Sequence, residues 1–95
     1  MLQQCLTITN AYNNRGSAYV AKGQYDTAIT DYNKAIKLNP QYAEAYFNKA
    51  SSCDKLGYKS EAIQAYKLFI RYAPPTYSSY IEKVKQQIRT LGGTI

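Results

Sequence analysis

Six acidic residues and two cysteines are the main supply of acids, bases and nucleophiles in this 95-residue chain, which contains neither His nor Trp. Catalysis through imidazole, and metal sites built from clustered His or Cys, therefore lack their raw material. The nearest acidic pairs are Asp26 with Asp31 and Asp54 with Glu61; both are expected to be helix N-caps and surface charges, not an acid and a base facing one substrate. Cys5 and Cys53 lie far apart with no second cysteine near either, which fits neither a zinc pattern nor a redox CxxC motif. They read as two reduced structural thiols, with a disulfide as the alternative. No enzyme activity, no metal and no cofactor is expected. What the chain does hold in quantity is tyrosine, 11 copies against 2 Phe, a ring that suits either a close-packed core or stacking on a ligand.

Twelve Lys and Arg against six Asp and Glu give a formal charge of +6. That balance favours solubility and attracts anionic partners, but says nothing about fold. Mean hydropathy is negative and no apolar run approaches the ~20 residues of a membrane span. The opening MLQQCLTITN has no basic segment leading into an apolar one, so a cytoplasmic location is the default. The length allows one small domain.

The elements that position these residues emerge when the chain is compared with itself at a shift of 34. Residues 9–42 then match 43–76 at Ala11/Ala45, Tyr12/Tyr46, Asn14/Asn48, Ser17/Ser51, Gly23/Gly57, Ala28/Ala62, Ile29/Ile63, Tyr32/Tyr66, Ile36/Ile70 and Pro40/Pro74. Unrelated stretches of this composition would share about two. A partial third copy carries Tyr80 and Lys83 under Tyr46 and Lys49 before the register dissolves near Gly92 and Gly93.

Inside each repeat the apolar spacing is helical. Tyr12, Gly16, Tyr19 and Val20 form one stripe that meets Gly23, suited to a left-handed helix end. Ala28, Ile29, Tyr32, Ala35 and Ile36 form the next, which stops at Asn39-Pro40. Asp26 and Ser60 are expected as N-caps of the second helices. Helices are predicted over 9–22, 25–38, 42–56, 59–72 and 77–91, with Leu2, Cys5 and Leu6 giving residues 3–8 an apolar side that extends the first. Gly16/Ala50 and Ala28/Ala62 are small residues at helix crossings, and Tyr12, Tyr32, Tyr46 and Tyr66 are expected to fill the space around them.

These residues carry a resemblance. The 34-residue period, the aromatic early in the first helix, and Gly16/Ala50, Tyr19, Gly23/Gly57, Ala28/Ala62, Tyr32/Tyr66, Ala35 and Pro40/Pro74 resemble the tetratricopeptide repeat. The division this implies is an N-terminal extension (1–8), repeat 1 (9–42), repeat 2 (43–76), a C-terminal capping helix (77–91) and a frayed tail (92–95). The resemblance implies an all-α fold of antiparallel helix-turn-helix units stacked in a right-handed superhelix of about five helices. Its first helices would line a concave groove that holds peptides or partner proteins. The chain departs from the pattern at Cys53, where Tyr19 is aromatic, at Phe69, where Ala35 is small, and at Arg15 and Lys49, where apolar residues are common.

If first helices line the groove, positions one repeat apart form ladders across it. Asn10, Glu44 and Ser78 make one; Asn13, Phe47 and Ile81 another; Asn14, Asn48 and Glu82 a third; Ser17, Ser51 and Lys85 a fourth. The Asn side chains offer both donor and acceptor to an extended peptide, and Phe47 and Ile81 offer apolar contact; the alternative is a solvated helix face. Some members of the family grip acidic chaperone tails with a basic clamp, of which this chain keeps only Asn48. Asn13 and Ser17 stand where that clamp has Lys and Asn, and Ser78 and Glu82 where it has Lys and Arg. A carboxylate facing Glu82 would be repelled, so calorimetry with an acidic tail should find no micromolar binding. Arg15, Lys49 and Lys83 form a basic row beside the groove, and Lys37 with Arg71 repeat on the second helices. The row suits acidic segments or simple solvation; nucleic acid is the weaker partner class, because the base-reading features are missing.

The function expected is a non-catalytic protein-protein interaction scaffold that binds a peptide or partner segment in its groove. The alternative is self-assembly through repeat end faces or helix swapping, since two repeats are fewer than the ~3 a stable stack needs. The chain also reads as a possible piece of a longer array.

Overall fold

A computed structural model describes the backbone of residues 2–93 and the side chains of residues 7–93. The element order is α1 (Leu2–Ala21), α2 (Tyr25–Leu38), α3 (Ala43–Leu56), α4 (Lys59–Tyr72), a single 3-10 turn (Pro75–Tyr77) and α5 (Ser78–Thr90). Neighbouring helices pack as antiparallel pairs, α1 with α2 and α3 with α4, joined by α2 against α3, and α5 docks on α4. The fold is the expected all-α superhelical repeat. The apolar side proposed for Leu2, Cys5 and Leu6 lies outside the described side chains.

Each helix pair is set by two features of the sequence. The first is the turn. Gly23 and Gly57 adopt φ of 77° and 82°, a region costly for any residue with a Cβ. The next residue then bonds back five positions: Gln24 N–H donates to Tyr19 O at 2.9 Å and Tyr58 N–H to Cys53 O at 2.9 Å. This Schellman closure satisfies carbonyls that the helix end leaves unpaired and turns the chain into the next helix. The second is close approach. A Cβ added at Gly16 would sit 2.7 Å from Tyr32 Cε1, so the α1/α2 crossing as it stands leaves no room for a side chain at position 16 unless the Tyr32 ring moves. In the second pair Ala50 occupies the same place, fully buried.

Three expectations need correction. Asp26 and Ser60 are not N-caps: the caps are Gln24 and Tyr58, neither with a side-chain cap bond. The Schellman turn brings the helix start so close behind Gly23 and Gly57 that Asp26 and Ser60 fall inside the first turn. Asp26 there still favours the positive end of the helix dipole. Of the four repeat tyrosines, Tyr32, Tyr46 and Tyr66 are buried, whereas Tyr12 is half-buried, with Arg15 and Lys34 over its ring. Finally, the segment read as a frayed tail opens with a built stop. Gly93 N–H donates to Ile88 O at 2.8 Å and Gly92 N–H to Arg89 O at 3.0 Å, repeating the closure of α1 and α3. A Cβ on Gly93 would come 2.8 Å from Ile88 Cγ2 and 3.0 Å from Ile63 Cγ2.

Candidate functional site

The first helices α1, α3 and α5 are linked to one another by side-chain hydrogen bonds about one period apart. Tyr42 OH donates to Asn10 Oδ1 at 2.8 Å, and Asn48 Nδ2 to Asn13 Oδ1 at 3.0 Å. One repeat on, Tyr77 OH donates to Glu44 Oε1 at 3.0 Å and Gln87 Nε2 to Asp54 Oδ2 at 2.7 Å. The tyrosine clasp recurs on the same ladder, Asn10 then Glu44, although its donor moves from Tyr42 to Tyr77. Pro74 and Pro75 explain the shift, because the 3-10 turn at Pro75–Tyr77 places the tyrosine where α5 begins.

Beside this second clasp opens a cleft of about 270 Å³, lined by Glu44, Phe47, Asn48, Phe69, Tyr77 and Tyr80. Its four rings form a closed circuit. Phe47 meets Phe69 at 5.3 Å between centroids, Phe69 meets Tyr77 at 6.3 Å, Tyr77 meets Tyr80 at 6.0 Å, and Tyr80 meets Phe47 at 6.1 Å. All four spacings lie in the range where aromatic pairs attract, so the walls are mutually supported. Phe69 forms the buried base and Tyr80, 54% exposed, the outer edge. The carboxylate of Glu44 accepts the Tyr77 hydroxyl and raises its pKa; burial, with the same carboxylate nearby, holds the Tyr42 phenol above its ordinary range.

A second, smaller recess of about 150 Å³ lies one repeat earlier, lined by Ser17, Val20, Tyr25, Tyr32, Asn48, Ser51, Ser52 and Lys55. Ser17 Oγ and Tyr32 OH are 3.2 Å apart there, and burial raises the Tyr32 phenol. Asn48 borders both spaces.

Of the groove residues read from the ladders, Glu44, Phe47 and Asn48 therefore converge on the larger cleft, and Ser17, Asn48 and Ser51 on the smaller. Asn10 and Asn13 do not face a ligand freely: Asn10 accepts the Tyr42 hydroxyl at the start of α3, Asn13 accepts the Asn48 amide, and Asn13 is only 4% exposed. Asn14 and Ser78 are exposed and line neither space. Ile81 packs against the apolar core of the second repeat. Glu82 and Lys85 pair with each other along α5 at 3.7 Å. Missing from the sequence reading were Phe69, Tyr77 and Tyr80. Phe69 had been visible as a large residue at a small-residue position, a volume that must go somewhere, and Tyr80 as the third member of the Tyr12/Tyr46 ladder.

The basic row is not three free cations. Arg15 makes a two-pronged bond to Asp31, Nε to Oδ2 at 2.8 Å and Nη2 to Oδ1 at 2.7 Å. Asp31, at 2% exposure, is thus no surface charge; the guanidinium bond holds its carboxyl below the usual carboxylate range. Lys49 is half-buried, and Lys83 Nζ lies 6.0 Å from the Tyr80 ring centre. Asp54 is engaged by Gln87, and Glu61 is exposed in the first turn of α4. Cys53 is a buried free thiol with its pKa pushed up by burial; the Cys5 side chain lies outside the described residues. Among the described residues no group of three or more His, Cys, Asp or Glu could hold a metal, and no helix is long and apolar enough to cross a membrane.

Comparison with known proteins agrees with this architecture. A family profile described as TPR repeat matches residues 16–57, and one described as tetratricopeptide repeat matches residues 43–76. The chain is 30% identical to human tetratricopeptide repeat protein 28 over 79 residues, which are 83% of this chain and 3% of that protein. It is 39% identical to mouse superkiller complex protein 3 over 62 residues, 65% of this chain and 4% of that one. With stress-induced-phosphoprotein 1 of Caenorhabditis elegans it shares 44% identity over 43 residues, 45% of this chain and 13% of the relative. The chain thus spans only a small part of each of these relatives. Two overlapping profile matches, the 34-residue period and the paired helices that follow it establish that the chain belongs to the tetratricopeptide repeat family.

Proposed function

We propose that the chain is a non-catalytic protein-interaction scaffold that holds a segment of a partner protein along its first helices, α1, α3 and α5. The observation that carries this reading is the cleft of about 270 Å³ between Glu44, Phe47, Asn48, Phe69, Tyr77 and Tyr80. A concave space with an apolar base and a few polar groups at its edge is what side-chain recognition requires. Family membership supports the same reading, because the relatives carry these repeats within much longer proteins. The scarcity of paired acids and bases supports a role without chemistry. An acidic chaperone tail is a poor occupant, since Glu44 stands within the cleft and Glu82 on the neighbouring helix face.

The test is a random peptide display selected on the intact chain, followed by NMR mapping of the bound peptides. The expected result is peptides that perturb the amides of Phe47, Asn48 and Tyr80 and lose affinity in Tyr80→Ala, a change at an exposed ring that spares the core. Peptides that map instead to α2 and α4 would overturn the groove reading. Light scattering on the same sample separates self-assembly: a species that dimerises and loses peptide binding as it does so would make another copy the occupant.

A further inference from the structure

Within the groove proposed above, the large cleft has a chemical preference of its own. Glu44 is an exposed carboxylate without a cation: among the described residues, the ion pairs are Arg15 with Asp31 and Lys85 with Glu82. Asn48 spends one N–H of its amide on Asn13 Oδ1, which leaves its Oδ1 and the second N–H to offer. Its Oδ1 keeps both lone pairs, against one remaining N–H. The polar edge of the cleft is therefore biased toward acceptors, a carboxylate and an amide oxygen, and the rest is aromatic.

We infer that this cleft seats the guanidinium of an arginine from the partner segment, between the Glu44 carboxylate and Asn48 Oδ1 and against the Phe47, Phe69, Tyr77 and Tyr80 rings. The inference rests on the groove reading. An apolar or acidic side chain entering the cleft would strip water from Glu44 and return nothing, a cost that a cation offsets. Arginine suits the site better than lysine. Its planar fork of donors, with no acceptor, matches a carboxylate beside a carbonyl oxygen, and its flat face stacks on rings, whereas an ammonium remains a strongly hydrated point charge. The rings already attract such groups: Lys83 Nζ lies 6.0 Å from the Tyr80 centroid, within the reach of a cation–π contact. The net charge of +6 opposes a basic partner at a distance, but that repulsion fades over ~8 Å at physiological salt, while a partly desolvated pair at contact is screened less.

The experiment takes the best display-selected peptide and replaces its arginine with citrulline, which keeps the shape and loses the charge, or with lysine. Titration against the intact chain should give about tenfold weaker binding for citrulline and an intermediate loss for lysine. Glu44→Gln should erase the citrulline penalty, and Tyr80→Leu, which keeps the bulk and removes the π face, should weaken the arginine peptide about threefold with the fold unchanged by circular dichroism. If peptides bind the cleft but arginine is not enriched, or citrulline binds as well, the inference falls and the groove reading stands. If no selected peptide maps to the cleft, both fall.

Discussion

Where the first repeat buries Asp31, the second, one period later, buries Ala65, and the difference reaches through both helix pairs. In the first, Arg15 on α1 grips Asp31 on α2 with two short bonds, Tyr32 closes over bare Gly16, and the buried set includes Thr9 and Asn13. In the second, a continuous apolar cluster runs from Ala43, Tyr46 and Ala50 through Ala62, Ala65, Tyr66 and Phe69 to Val84 and Ile88 of α5. Two units with the same turns and second helices of 14 residues each are thus held differently: an ion pair joins the buried Ala28, Tyr32 and Ala35 in one, and apolar contact acts without such a pair in the other. The lesson is that a repeat conserves geometry before it conserves the means of achieving it.

The contrast can be broken most forcefully at Phe69, which is 2% exposed where the first repeat has Ala35. Phe69→Ala should cost about 3–5 kcal/mol, with loss of the cleft base, read as a lower urea midpoint by tyrosine fluorescence. Ala35→Gly should cost only about 1 kcal/mol; equal losses at the two sites would erase the distinction. Next in size is Gly16→Ala. The methyl would meet a ring that is itself 1% exposed, so overpacking of about 1–3 kcal/mol outweighs the ~1 kcal/mol gained in helix propensity. A variant that melts higher than the parent would mean that Tyr32 yields freely and that the first crossing is not close-packed.

pH sharpens the same comparison from two sides. Asp31 has a depressed pKa in the native state, so below the ordinary carboxylate range the unfolded chain binds the extra proton and stability falls with falling pH. Asp31→Asn should lower stability at neutral pH and flatten that acid limb. Tyr66 in the second repeat is pushed up to about 12, chiefly by burial. Above its unfolded value the native chain keeps a proton that the unfolded chain has lost, so stability declines as the pH rises through that window. Tyr66→Phe should partly flatten the alkaline limb, leaving the contributions of Tyr32, Tyr42, Tyr46, Tyr77 and Cys53, which are also raised. Thermal melts across pH check both. The smallest effect is expected at the clasps, where Tyr42→Phe and Tyr77→Phe each remove one exposed hydroxyl bond, worth about 1 kcal/mol or less. A larger loss from Tyr77→Phe would show that this clasp holds α5 in place.

How far the sequence could be read follows from which interactions are local. The 34-residue period, the glycine turns and the apolar stripes reported five helices and their order, and α2 and α4 begin and end at the expected residues. A helix and its closing turn depend on residues within a few positions of one another, so the chain itself states them. The N-caps were misread because a Schellman turn and a capping side chain compete for the same two positions, and the glycine won. At the site, the ladders found Glu44, Phe47 and Asn48 but not Phe69, Tyr77 and Tyr80, which reach the cleft from α4, from the turn after it and from α5.

The sequence alone determined that this is a helical repeat, where its turns fall and which helices pair, since those follow from short-range backbone bonding and periodic burial. Only the tertiary structure decided which polar side chains remain free. Arg15 finds Asp31, Asn48 finds Asn13, and Tyr77 finds Glu44 across separations of 16, 35 and 33 residues. Such pairings depend on the angle and distance at which whole helices meet, which no local pattern encodes, and they turn a row of interchangeable polar residues into a cleft with acceptors at its edge.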